Sequence, residues 1–160
     1  MSGGETFPSE NIILIGFMGS GKSSVARDLS TALGYPVVDT DSLIIEKTGK
    51  SIPAIFEQDG EEEFRDLETA VLTELEQSGP SHRIVATGGG IIERRANRDV
   101  LKKMGVVVWL VVSPEEILRR TAKNRERPLL NTGNPEETIR RLLEKRVDFY
   151  RDTAHQEIET

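Results

Sequence analysis

Gly16-Phe17-Met18-Gly19-Ser20-Gly21-Lys22-Ser23 places a lysine and a hydroxyl directly behind spaced glycines. The run satisfies in full the pattern of loops that cradle nucleotide phosphates. Its glycines let backbone N–H groups turn inward around an anion, and a helix that starts there adds the positive end of its dipole. On this reading Lys22 reaches the β- and γ-phosphates of ATP and the Ser23 hydroxyl ligates Mg²⁺. Gly19, Ser20, Gly21 and Ser24 complete the nucleotide site. The bland alternative is a Gly-rich turn that happens to precede a helix. A GTPase would also need an Asn-Lys-x-Asp and an Asp-x-x-Gly motif, and neither occurs. A ring-forming motor ATPase would need more chain. What remains is a compact kinase, or a phosphate-loop protein that binds without turnover.

Four further features have the makings of an acceptor site. Asp39 and Asp41 stand two apart at the end of an expected strand, and in extended backbone they point the same way. One carboxylate could hold Mg²⁺ through water while the other takes a proton from a hydroxyl; the alternative is that Asp41 caps a helix. Glu68 falls on the apolar face made by Phe64, Leu67, Val71, Leu72 and Leu75, where a lone carboxylate is costly. Arg65, one turn earlier, can pair with it, either as a structural ion pair or as a guanidinium fixed at a cleft. Arg146 lies amid Ile139, Leu142, Leu143, Val147 and Tyr150 with no acid at helical spacing, so it calls for an anion from elsewhere. Two inward arginines suit a ligand carboxylate, which the planar fork binds bidentately. Gly88-Gly89-Gly90 ends a strand, either to let a substrate approach the backbone or as a plain tight turn.

The elements that position these residues alternate. Strands are expected at 11–15, 36–39, 83–86 and 106–112, and helices after the phosphate loop, over 61–77, after Ser113 and over 135–150. This alternation implies an α/β fold, a parallel sheet with helices on both faces in three layers, with ligands at the strand C-termini. Residues 1–10 are expected as a disordered leader, 11–160 as one domain, 42–78 as acceptor-binding helices and 123–134 as a mobile lid. The stretch around Arg119, Arg120, Lys123, Arg125 and Arg127 has the basic character of a lid that closes over phosphates. Trp109 is expected in the core, and His82 and His155 at the surface.

Composition excludes several classes. There is no cysteine, so no disulfide, thiolate metal site or cysteine nucleophile exists. The net charge of −6 argues against nucleic acid, although residues 119–151 carry ten basic and five acidic side chains. A basic segment in an acidic chain fits a small anionic ligand or a solvated helix face. No apolar run is long enough to span a membrane, and without an export signal the cytoplasm is the expected compartment. A monomer is expected.

Taken in order, the phosphate loop, Asp39-Thr40-Asp41, Ile55-Phe56, Asp59-Gly60-Glu61, Glu63-Phe64-Arg65 with Glu68, Gly88-Gly89-Gly90, Arg127-Pro128-Leu129-Leu130 and Arg146 near Tyr150 resemble the shikimate kinase family from Asn11 to about Tyr150. The resemblance implies a P-loop kinase fold and transfer of phosphate from ATP to the 3-hydroxyl of shikimate, on the route to aromatic amino acids. It implies that Asp41 contacts the reacting hydroxyl, that Asp39 supports Mg²⁺, and that Arg65 and Arg146 bind the shikimate carboxylate. Gly89 would lend a backbone contact, Glu68 would orient Arg65, Arg127 would descend with the lid, and Arg120 would pack near adenine. The chain departs from the family in having Asp148-Phe149-Tyr150 where Pro-Leu-Tyr is usual, and the family's last helix, which helps hold adenine, is expected to be missing after Thr160. A gluconate-type kinase is the alternative within the same class.

Overall fold

The computed structural model describes residues 11–78, 82–122 and 133–160. Among these residues five strands, β1 (Asn11–Ile15), β2 (Val37–Asp39), β3 (Ile84–Ala86), β4 (Gly105–Val111) and β5 (Gln156–Glu159), form one sheet in the order β2-β3-β1-β4-β5. All four pairings are parallel. The helices are α1 (Lys22–Leu33), α2 (Thr40–Thr48), α3 (Ile52–Asp59), α4 (Glu61–Gln77), α5 (Arg95–Met104), α6 (Pro114–Thr121) and α7 (Pro135–Thr153), with a 3₁₀ turn at Ile91–Glu93.

Alternation along β1 builds two cores. Ile13 and Ile15 pack with Val85, Val107 and Trp109 against Leu72, Leu75, Leu101, Met104 and Tyr150, on the face covered by α4, α5 and α7. Leu14, Ile84 and Ala86 pack against Ala26 of α1, on the other face. This is the expected three-layer α/β/α architecture, and Trp109 sits in the core, stacked on Tyr150 at 5.5 Å. Because β1 lies between β3 and β4, the chain direction across the sheet reverses there, which opens a crevice at the strand C-termini. The phosphate loop leaves β1 and the triple glycine follows β3, so both reach that crevice.

Sequence expectations need correction at three places. Asp39 and Asp41 do not share one face of an extended strand: β2 stops at Asp39, and Asp41 already belongs to the first turn of α2. The cap of α2 is Asp39, whose Oδ1 accepts from Ser42 N at 3.1 Å, and not Asp41. A carboxylate just ahead of a helix satisfies an orphan N–H there more readily than one inside the first turn. α5 and β5 add two elements that periodicity did not signal. α5 buries only Asn97, Leu101 and Met104 in a strongly charged decapeptide, and β5 is exposed throughout.

The segment expected as a lid lies outside the described residues except for Gly133 and Asn134; Asn134 caps α7 through a bond from Glu137 N. Arg127 lies outside them as well. No helix among the described residues is long and apolar enough to cross a membrane.

Candidate active site

α1 begins at Lys22 behind Gly21, and no side chain caps it. Its first N–H groups are therefore left for a ligand, in the arrangement that favours phosphate. Lys22 Nζ donates to the carbonyls of Gly16 (2.6 Å) and Phe17 (3.0 Å), which folds its ammonium over the loop. Ser23 and Ser24 are exposed on the first turn of α1. Gly19 sits at φ +80°, and a Cβ there would lie 2.8 Å from Thr121 Cγ2, so this position of the loop takes glycine only. Arg120 Nη1 donates to Gly19 O at 3.1 Å while its Nε donates to Glu116, which holds this cation on the loop's rim.

The acceptor side is assembled around Gly88–Gly90. Gly88 N donates to Thr40 Oγ1 at 3.1 Å, tying the end of β3 to the start of α2. A Cβ on Gly88 would lie 2.9 Å from Glu68 Oε2 and 3.0 Å from Asp41 Oδ1. On Gly89 it would lie 3.4 Å from Arg146 Nη1 and 3.3 Å from Met18 N, and on Gly90 2.6 Å from Arg65 Nη2. The triple glycine is thus a surface on which Asp41, Glu68, Arg65 and Arg146 converge from three helices. The same turn abuts the phosphate loop through Met18 and Gly16. Tyr150 Oη donates to Gly89 O at 2.6 Å, and burial pushes the Tyr150 hydroxyl up to about 12, so it stays a donor.

Both arginines are buried, Arg65 at 8% and Arg146 at 1% relative exposure. Arg65 Nη1 donates to Glu68 Oε1 at 2.8 Å and Nη2 to Glu61 Oε2 at 3.2 Å. Burial works against the Arg65 charge, yet Glu68, Glu93 and Glu61 together raise its pKa. For Glu68, burial dominates and lifts the carboxyl to about 7 against the pull of Arg65, with Asp41 adding to the rise. Arg146 has an acid partner after all: its Nε donates to Glu93 Oε2 at 2.7 Å, and Lys145 Nζ meets the other oxygen at 3.2 Å. The anion that Arg146 called for from elsewhere in the chain includes a structural acid, Glu93. Glu93 sits on the 3₁₀ turn, 53 residues away in sequence, and no local spacing signals the pair. Arg146 Nη1, Arg65 Nε and Glu68 Oε2 nevertheless remain buried without a hydrogen-bond partner among the described residues. Buried donors and acceptors of this kind are costly unless something meets them.

Part of the basic segment is a solvated face: Arg119 pairs with Glu116, and Arg140 with Glu115 and Glu136, all at the surface. His82 and His155 are exposed, and His155 Nδ1 also accepts from Val107 N, joining the end of α7 to β4. No group of three or more His, Cys, Asp or Glu could hold a metal alone among the described residues. The Ser23 hydroxyl and the Asp39 carboxylate are hard oxygen donors, which fit Mg²⁺ completed by phosphate oxygens and water.

The sequence profile of the family described as shikimate kinase matches residues 18–160. The shikimate kinase of Acinetobacter baumannii (strain AYE) is 47% identical over 156 residues, 98% of this chain and 84% of its own. A solved shikimate kinase from Acinetobacter baumannii, in complex with shikimate, superposes with a TM-score of 0.91 at 46% identity, covering 99% of this chain and 87% of that one. A gluconokinase from Sinorhizobium meliloti, covering 97% and 84%, reaches a TM-score of 0.57 at 20% identity and shares the fold alone. Profile, relative and fold agree on one assignment: the chain belongs to the shikimate kinase family.

Proposed function

We propose that the protein transfers the γ-phosphoryl group of ATP to the 3-hydroxyl of shikimate, giving shikimate 3-phosphate and ADP. The observation that carries this reading is the pair of buried arginines, Arg65 and Arg146, facing a glycine turn that touches the phosphate loop. A carboxylate on the acceptor satisfies buried guanidinium N–H groups there, and the same placement sets an acceptor hydroxyl beside the nucleotide's terminal phosphate.

In this mechanism Asp41 receives the hydroxyl proton as the oxygen attacks phosphorus, and the bond to the bridging oxygen of ADP breaks. Lys22 leaves the carbonyls of its own loop for the β- and γ-phosphates, and the N-terminus of α1 holds the phosphate oxygens together with Gly19, Ser20, Gly21 and Ser24. Mg²⁺, when bound through Ser23 and through water to Asp39, supplies neutralisation of the phosphate charge. Glu68 orients Arg65, and Gly88, Gly89 and Gly90 leave room for the sugar-like ring. Arg120 flanks the base side, and Arg127, from the basic segment 123–134, closes on the phosphates. Every acceptor residue named comes from one chain, and the reading includes a monomer acting in the cytoplasm.

Coupled ADP release with shikimate, gluconate and AMP as acceptors tests the assignment. Turnover with shikimate alone is the expected result. Turnover with gluconate instead moves the protein to the gluconate-type alternative, and none with any of the three leaves a binding protein.

A further inference from the structure

The carboxylate that meets Arg146 is placed too firmly to be an accidental neighbour. Glu93 N donates to Gly90 O at 3.0 Å, so the residue hangs from the glycine turn itself. α5 then pins the 3₁₀ turn by its own side chains. Asn97 Nδ2 donates to Ile91 O at 3.0 Å, and Arg98 Nη1 donates to Ile92 O at 2.7 Å and Glu93 O at 3.2 Å. The Arg98 guanidinium rests 4.3 Å over the Phe149 ring of α7, which fixes that turn against the helix carrying Arg146. Within this frame Glu93 takes only the Nε–H of Arg146, while Nη1 stays buried, without a hydrogen-bond partner among the described residues, and 3.4 Å from the Cβ position of Gly89. The carboxylate grips the stem side of the guanidinium and leaves the far end for the cleft. Arg65 is held the other way round: Glu68 takes Nη1 and Glu61 takes Nη2, and Nε is the nitrogen without a partner among the described residues.

We propose that Glu93 is a positioning residue for the acceptor: it holds Arg146 by Nε so that Nη1 is presented at Gly89 to the carboxylate of the substrate. This rests on the reading above that Arg146 binds that carboxylate. Burial opposes the charge on Glu93, but Arg146 and Lys145 outweigh it and keep the carboxyl below its ordinary range, so the anchor is ionised whenever the enzyme works near neutral pH. A positioned guanidinium needs no reordering when the ligand arrives, which is how such an anchor raises affinity.

The experiment compares steady-state kinetics of Glu93→Ala, Glu93→Gln, Arg146→Ala and the Glu93→Ala/Arg146→Ala double variant. Glu93→Ala is expected to raise the shikimate KM about 10-fold, with the ATP KM within about twofold of wild type. Glu93→Gln keeps an oxygen for the Nε–H and should recover most of that loss. In the Arg146→Ala background, loss of Glu93 should have no further effect on the shikimate KM, because the residue acts through the arginine. If Arg146→Ala raises the shikimate KM and Glu93→Ala does not, or if the two losses add in the double variant, the role of Glu93 is overturned. If Arg146→Ala itself leaves the KM unchanged, the reading of Arg146 as the carboxylate's ligand fails first and this one with it. Should Glu93→Ala not fold, Glu93→Asp keeps the charge and retracts it by one methylene. A raised shikimate KM in that variant supports the role, and an unchanged one overturns it.

Discussion

Arg65 and Glu68 meet at 2.8 Å, one turn apart on α4, and both side chains are closed off from water beneath the Gly88–Gly90 turn. The partnership is unequal. Arg65 keeps its charge at every working pH, whereas burial lifts the Glu68 carboxyl from 4.5 to about 7, with Arg65 and Arg146 opposing the rise and Asp41 aiding it.

That imbalance makes stability depend on pH. Below pH 4.5 the carboxyl is protonated in both folded and unfolded chains. Between 4.5 and about 7 the folded protein holds a proton that the unfolded chain has released, so stability falls as pH rises through that window and levels off above it. The slope is at most about 1.4 kcal/mol per pH unit. Glu68→Gln removes this titration. Denaturant unfolding of both proteins at pH 5 and pH 8 should show wild type losing more stability than the variant. Equal losses would mean that Glu68 does not titrate there.

Lys22→Ala should cut kcat by about 10²–10³-fold, since the ammonium neutralises charge that builds on the transferring phosphoryl group. Its contacts in the free protein include two carbonyls of its own loop, so circular dichroism and melting temperature should change little. Activity near wild type would remove the phosphate loop from the reaction.

Asp41→Asn should lower kcat by roughly 10²-fold, the scale of a lost general base, with a smaller change in shikimate KM. A rise in KM alone would make Asp41 a binding residue and leave the chemistry to positioning.

Gly90→Ala isolates the glycine surface from backbone strain. Gly90 has φ −98°, which any residue adopts, but a methyl group there would lie 2.6–2.8 Å from the Arg65 guanidinium. The guanidinium must move, and the shikimate KM should rise about 10-fold while the ATP KM holds. An unchanged shikimate KM would show that the exact place of Arg65 does not matter.

How much of this site can be read from the sequence follows from where each partner sits. Glu68 and Arg65 are three residues apart on one helix, so a helical wheel exposes both the misfit and its remedy. Arg146 shows as a misfit by the same test, but its partner Glu93 follows two isoleucines on a 3₁₀ turn and reaches α7 only in the folded chain. Asp39 and Asp41 straddle a strand–helix boundary, and moving that boundary by two residues exchanges the cap for the site residue. The sheet was legible where strands are apolar. β5 was not, because Gln-Glu-Ile-Glu is exposed on the sheet's edge and owes its conformation to pairing with β4.

Arg146 carries the prediction that decides the substrate. It is 1% exposed, paired through Nε with Glu93, and buried at Nη1 without a partner among the described residues. Arg146→Ala removes one half of a buried ion pair and strands Glu93, so the melting temperature should fall by several degrees, in line with about 2–4 °C per kcal/mol for a chain of this size. Instability alone would fit a structural arginine. The kinetic outcome separates the two roles, because a ligand carboxylate left without its fork should cost about 2–5 kcal/mol in kcat/KM. Measured well below the variant's melting temperature, that loss belongs to the site and not to unfolding. An acceptor analogue lacking the carboxylate completes the test. Wild type should discriminate strongly against it, whereas Arg146→Ala, having lost the group that reads the carboxylate, should discriminate far less. Discrimination that survives the substitution would leave Arg146 to the fold and transfer recognition of the carboxylate to Arg65.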